Sequence, residues 1–132
     1  MNEQEKIEYW AELAEDDFIT AEIVLRSRRY LHFGFLCHLT VEKLLKAFYW
    51  KNRKEEPPYT HSLLVLASKS GLNEIITSNY KQLLYKLMPL NIEARYPTNK
   101  QEIYKQLSPE YCEEIFQNSK EFMLWIQTLL TK

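Results

Sequence analysis

Three charged side chains and a histidine lie within an otherwise apolar segment, FGFLCHLTVEKLLKAFYW at residues 33–50. On a helix, His38 and Lys46 each fall one turn away from Glu42, and Lys43 follows Glu42 directly. Ionisable side chains are rarely left inside a core unless they are paired or used. The segment therefore predicts either a buried helix with one solvated, charged edge, or a polar site at which Lys43 or Lys46 binds a phosphate group.

The other groups that could bind a metal point to no metal site. His38 is interpreted as a hydrogen-bonded core residue, because one histidine beside one glutamate supplies fewer than the three or four protein ligands of a zinc site. Cys37 and Cys112 are far apart in sequence and form no C-x-x-C pair. We therefore expect two reduced thiols, no metal and no cofactor.

Asp17 lies within the apolar stripe of the first predicted helix. One interpretation is a carboxylate at a helix seam, paired with a cation such as Lys43, Lys46 or Arg95. The other is a polar group of an active cleft, with a pKa that burial raises or a partner lowers. The structural pairing is preferred, because structural ion pairs also perturb pKa values.

Two further groups follow the apolar segment. His61 either orders its loop by hydrogen bonding or acts as a general acid or base, because histidine titrates near neutral pH. Arg95 can bind phosphate in a bidentate manner beside the stacking face of Tyr96, or it can pin its own loop to the bundle. The candidate ligand-binding residues are Asp17, Glu42, Lys43, Lys46, His61, Arg95 and Tyr96.

The elements that must position these residues are helices. The chain has 132 residues, is 45% hydrophobic, and contains only 2 Gly against 5 Pro, which favours long helices over many short strands. Apolar periodicity and cap residues predict five helices. Their expected bounds are Glu5 to about Ser27, about Leu31 to Asn52, His61 to about Lys69 with Thr60 as N-cap, Asn73 as N-cap to about Ile92, and a last helix that starts at Ser108-Pro109. Pro89 is expected to kink or shorten the last turn of the fourth helix.

These elements predict one all-α domain over residues 1–132, an antiparallel up-down four-helix bundle with one additional short helix. Residues Glu93 to Leu107 are expected to cross its surface. The formal net charge of -1 provides no global basic field for nucleic acid. No stretch reaches ~18 uninterrupted apolar residues, and the start lacks a signal-peptide pattern, so we expect a cytoplasmic protein without a membrane partner.

Four sequence pieces occur in an order that resembles the HEPN family of small helical-bundle domains. They are W-x3-A-x2-D-x3-A from Trp10 to Ala21, VEKLLKA at 41–47, THSL at 60–63 and ARYP at 94–97. The resemblance implies a helical bundle and frequent homodimers. It also implies either pairing with a minimal nucleotidyltransferase in a toxin–antitoxin-like system, or a metal-independent ribonuclease with an R-x4-6-H motif at a dimer cleft.

This sequence departs from the ribonuclease pattern. All three histidines precede Arg95, and the formal match of Arg26 with His32 falls at the first interhelical turn, where it is interpreted as chance. Three hypotheses follow. The first is a non-catalytic homodimeric module that binds a nucleotide, pairs with a nucleotidyltransferase, or does both. The second is a ribonuclease with a divergent site that uses His61 and Arg95 on RNA, and the third is a scaffold for a partner enzyme.

Overall fold

The computed structural model describes residues 1–91 and 97–132, with side chains described over 1–91 and 101–132. In these ranges all regular structure is helical, without a strand, and no helix is long and apolar enough to cross a membrane. The six α-helices are α1 (Glu3–Arg26), α2 (Tyr30–Arg53), α3 (Leu63–Lys69), α4 (Ser78–Leu87), α5 (Pro97–Gln106) and α6 (Pro109–Leu130). The all-α prediction is confirmed.

Helices α1 and α2 form an antiparallel hairpin, joined by the three residues 27–29. The contacts between them run in reverse order along the two helices. Lys6 near the start of α1 lies over the ring of Trp50 near the end of α2, and Asp17 pairs with Lys43 further along. A short connection between two long helices favours this arrangement.

Helix α2 occupies the centre, because α1, α3, α4 and α6 all pack against it. Its side chains Phe33 and Leu44 are fully buried, as is Ile126 of α6. Phe18 of α1 stacks on Phe116 of α6 with 5.1 Å between ring centroids, which closes the core beside α2. The central position explains why the sequence of α2 is apolar almost all round.

The starts of α3 and α4 differ from prediction. The N-cap of α3 is Ser62, whose hydroxyl accepts a hydrogen bond from the backbone of Val65, whereas Thr60 accepts one from the backbone of Ser62 itself. Residues 72–74 form a 3-10 turn, so Asn73 caps no α-helix, and Thr77 is the N-cap of α4. Each correction moves the start to a later hydroxyl residue that can reach an otherwise unpaired amide.

The predicted shortening of α4 at Pro89 is confirmed, whereas the region after it differs from prediction. Helix α4 ends at Leu87 and continues as a 3-10 turn over Met88–Leu90, because Pro89 cannot donate the next helical hydrogen bond. Residues 97–106 form α5, although this stretch was expected only to cross the surface. Ile103 and Leu107 near its end are buried and anchor it to the core.

The bundle therefore consists of three long helices and three short ones in the described ranges, where four long helices and one short one were expected. The up-down four-helix topology and the single domain remain predictions. The start of the last helix is confirmed, since Ser108 caps α6 and Pro109 opens it.

The two cysteines are free thiols buried in the core. Burial raises the pKa of Cys37 to about 12, although a nearby hydroxyl on Ser119 opposes part of this rise. Burial likewise raises the pKa of Cys112 to about 11. Both thiols are therefore protonated and unreactive at neutral pH.

Candidate functional site

The carboxylate of Glu42 is the centre of the polar cluster on α2. Glu42 is only 4% exposed, and its Oε2 lies 3.1 Å from Lys46 Nζ and 3.1 Å from His61 Nδ1. Lys46 comes from the next turn of α2, while His61 comes from the loop before α3. One buried carboxylate thus ties this loop to the central helix.

His38 lies on the other side of the same carboxylate. It is 1% exposed, and its Nδ1 is 3.7 Å from Glu42 Oε1, which is longer than a hydrogen bond. The interpretation of His38 as a core residue agrees with this burial. Among the described residues, no three His, Cys, Asp or Glu side chains come together as a potential metal site.

Asp17 and Lys43 form a second, separate ion pair. Asp17 Oδ2 lies 2.5 Å from Lys43 Nζ, and each side chain is about one-fifth exposed. The pair links α1 to α2, so the structural pairing expected for Asp17 is confirmed with Lys43 as the partner. Lys43 and Lys46 therefore have different partners, and the charged residues of α2 form two clusters rather than one.

A pocket opens beside Lys46, between α1 and the loop after α2. It has a volume of about 340 Å³, and its lining residues are Trp10, Lys46, Glu56, Pro57, Pro58 and Tyr59. The ammonium group of Lys46 lies 5.1 Å from the centre of the Trp10 ring. We call this cavity the loop pocket.

His61 borders the loop pocket through Tyr59. The two rings meet edge to face with 5.9 Å between centroids. Tyr59 is 96% exposed and the His61 side chain is 57% exposed, so both rings can contact a ligand from solvent. A buried carboxylate on Nδ1 fixes the orientation of the imidazole and leaves its exposed edge available for hydrogen bonding or proton transfer.

The structure brings three of the candidate residues together and places two others in a separate ion pair. Glu42, Lys46 and His61 come together, whereas Asp17 lies in the other ion pair. Arg95 and Tyr96 lie outside the described residues, so their predicted roles stay predictions. Of the residues that line the loop pocket, Lys46 was a candidate from the sequence, Trp10 was named only as part of a family motif, and residues 56–59 had no predicted role. The pair Pro57-Pro58 followed by Tyr59 was the available sequence signal for a pocket wall.

The fold and the cluster define a small all-helical domain whose central helix carries a buried Glu–Lys pair, joined to a histidine in the following loop. The chain belongs to the HEPN domain family, whose profile matches residues 7–129. No curated protein and no solved structure matches the chain.

Proposed function

We propose that this HEPN protein is a non-catalytic homodimeric module that binds a nucleotide in the loop pocket and pairs with a minimal nucleotidyltransferase in a toxin–antitoxin-like system. The observation that carries the proposal is the position of Lys46, whose ammonium group lies at the wall of an aromatic pocket. This arrangement combines a cation for phosphate with ring faces for a base.

The size and chemistry of the loop pocket suit a mononucleotide. Its volume of about 340 Å³ lies at the lower end of the ~300–1,000 Å³ typical of small-molecule sites. Stacking of a base on an aromatic side chain contributes ~1–3 kcal/mol, and Tyr59 is exposed enough to provide such a face. The carboxylate of Glu56 can accept a hydrogen bond from an exocyclic amine of the base.

A phosphate bound at Lys46 must share its ammonium group with Glu42. Lys46 Nζ lies 3.1 Å from Glu42 Oε2, so a ligand gains affinity only if its phosphate attracts the ammonium group without removing it from that carboxylate. An ammonium group has three N–H donors, and it can therefore hold both anions at once. His61 adds a further donor at the same edge when it is protonated.

The Arg26–His32 spacing is weak support for a nuclease. The guanidinium of Arg26 hydrogen-bonds to Glu113, which raises the pKa of Arg26, and a second carboxylate of Glu22 lies 3.8 Å away. His32 lines a different cavity, together with Phe35. An arginine already paired with two carboxylates is poorly placed to stabilise a phosphorane-like transition state.

Nucleotide binding is tested by thermal shift and calorimetry with ATP and AMP as probes. A ligand at 100 times its Kd stabilises the native state by about 2.7 kcal/mol, which raises the melting temperature by several degrees. Tyr59→Ala should weaken binding about tenfold, since stacking is lost from a side chain that supports no core packing. Tyr85→Ala is the matched control, because Tyr85 is 58% exposed on α4.

Two results would overturn the nucleotide part of the proposal. One is the absence of any thermal shift with millimolar ATP or AMP. The other is unchanged affinity in Tyr59→Ala. If nucleotides fail but the protein co-purifies with a nucleotidyltransferase encoded beside it, the scaffold hypothesis is the one supported.

The contact between Glu42 and His61 favours one alternative, a metal-independent ribonuclease with a divergent site. A carboxylate on Nδ1 of an exposed imidazole is an arrangement that suits general acid–base catalysis. RNA cleavage in the presence of a chelator, abolished in both His61→Ala and Arg95→Ala, would support this activity. Intact RNA after long incubation at high protein concentration would exclude it.

A further inference from the structure

The α1–α2 hairpin carries partly exposed apolar residues beyond those of the core, and two of them, Val24 and Leu36, also pack against the edge of the core. Leu13 and Val24 of α1 and Phe35, Leu36 and Leu39 of α2 are all partly exposed. Helical spacing places Phe35 and Leu39 opposite the buried face of α2. In the described ranges, Leu13, Phe35 and Leu39 do not belong to the apolar cluster that forms the core. We call these five residues the outer hairpin face.

The outer hairpin face also contains a cavity. An open cavity of about 400 Å³ lies at its turn end, and its lining residues are Val24, Arg29, His32, Phe35 and Leu36. Ile23, next to Val24 in sequence, is 62% exposed. An apolar hollow beside an exposed isoleucine is the kind of surface that packs against another protein surface.

The charges on this side of the molecule separate along its length. Arg28 and Arg29 are exposed at the turn end, while Glu12 and Asp16 are exposed on the part of α1 away from the turn. The lysines between them add little net charge, because Lys43 is paired with Asp17 and Lys46 with Glu42. The face therefore has a basic end and an acidic end.

A second copy of the chain satisfies this pattern. In a symmetric dimer of this kind, the hairpins of the two copies lie face to face and run in opposite directions. The basic end of each copy then lies over the acidic end of the other. The apolar residues between the ends then pack against themselves as two crossed helix pairs. Self-complementary charge of this kind is what an interface between two identical copies requires, because the same surface contributes both sides.

We propose that the outer hairpin face is the interface of a homodimer, with Phe35 and Leu39 at its centre and with Arg29 facing Asp16 of the other copy. This inference rests on the homodimer within the proposed function and goes beyond it by naming the face. A central apolar cluster within a charged rim is the usual composition of a specific interface.

Sedimentation of the full chain at micromolar concentration tests the interface. The wild-type protein should sediment as a dimer, whereas Leu39→Glu and Phe35→Glu should each weaken dimerisation by at least about tenfold, because each places a charge in an apolar contact. Leu124→Glu is the matched control, since Leu124 is 51% exposed on α6, outside the proposed face. Far-UV circular dichroism and urea unfolding identify any variant that has lost its fold.

A charge exchange tests the orientation of the two copies. Arg29→Glu and Asp16→Lys should each weaken the dimer, and the double variant should recover most of the loss, because the pair is restored with reversed polarity. Neither residue lines the loop pocket, so these variants should bind nucleotide as the wild type does.

The outcomes separate this inference from the proposed function. A wild-type protein that sediments as a monomer overturns both the interface and the homodimer. A wild-type dimer that persists in Leu39→Glu and in Phe35→Glu overturns the interface and leaves the homodimer intact. Failure of nucleotides to bind leaves the interface untouched, because sedimentation is measured without ligand.

Discussion

The carboxylate of Glu42 lies 3.1 Å from Nδ1 of His61, nineteen positions later in the chain, and this contact joins the loop before α3 to the central helix. Glu42 is buried and His61 is largely exposed. The stability of the core and the geometry of the candidate site therefore depend on the same carboxylate. Perturbing it should affect both.

Glu42→Ala should reduce the free energy of unfolding by about 3 kcal/mol, because it leaves the ammonium group of Lys46, only 13% exposed, without its partner. Urea denaturation at pH 7 measures this loss. The control is Glu114→Ala, since Glu114 pairs with Lys86 at the surface and such pairs contribute only ~0–1 kcal/mol. Equal losses in the two variants would show that the Glu42 pair does not stabilise the fold.

The Asp17–Lys43 pair should show a coupling energy of about 0.5–1 kcal/mol in a double-mutant cycle of Asp17→Asn and Lys43→Met, because both side chains are partly solvated. Added salt should lower the coupling, since solvent screens partly exposed charges. A cycle in low and high salt makes the measurement. A coupling of zero in low salt would contradict a stabilising role for this pair.

Gly71→Ala should destabilise the protein by about 2 kcal/mol, because Gly71 has φ of 88° and an added Cβ would lie 2.7 Å from Asn52 Nδ2. That amide donates a hydrogen bond to the carbonyl of Ser70, which the new methyl group would disturb. Gly34→Ala is the control. Its Cβ would meet only the flexible side chain of Leu90 at 3.1 Å, so the higher helix propensity of alanine should keep the change within about 1 kcal/mol.

The protein should lose stability in alkaline solution, because its two thiols ionise more readily in the unfolded chain than in the folded protein. The folded-state pKa values of Cys37 and Cys112 are raised from 9.0 to about 12 and about 11, so above pH 9 the unfolded chain releases protons that the folded chain retains. Stability attributable to the thiols is therefore complete below pH 9 and falls as the pH rises, by up to about 1.4 kcal/mol per pH unit for each thiol.

The alkaline effect is measured as the slope of unfolding free energy against pH, compared between the wild type and a Cys37→Ala, Cys112→Ala variant. The wild type should show the steeper fall above pH 9. Native protein at pH 8 should also react with iodoacetamide far more slowly than unfolded protein does. Rapid alkylation of the native state would contradict the burial of both thiols.

Much of the fold follows from local sequence patterns. The central helix, the antiparallel hairpin and the cap at Ser108 all depend on periodicity or on a few neighbouring residues. The start of α4 was wrong because Asn73 and Thr77 are both good caps, and only packing selects the later one. Helix α5 was missed because its polar composition concealed the contribution of Ile103 and Leu107.

The candidate site was predicted only in part, for a similar reason. Glu42 and Lys46 are one turn apart on one helix, so their pairing is visible in sequence. The loop pocket brings Trp10 together with Tyr59, forty-nine positions later in the chain. Local sequence patterns do not predict contacts between residues so far apart. The role of Trp10 and Tyr59 in the pocket wall can therefore be recognised only from the folded structure.

The central position of α2 has a consequence for synthesis of the protein. Helices α1 and α2 contact each other across a three-residue turn, so this hairpin can form as soon as both helices have left the ribosome. Its inner face packs against α6, where Phe33 meets Phe116, and α6 is made last among the described helices. During translation the hairpin therefore carries apolar surface on both sides, and the nascent chain is most prone to aggregate or to bind a chaperone in the interval before α6 arrives.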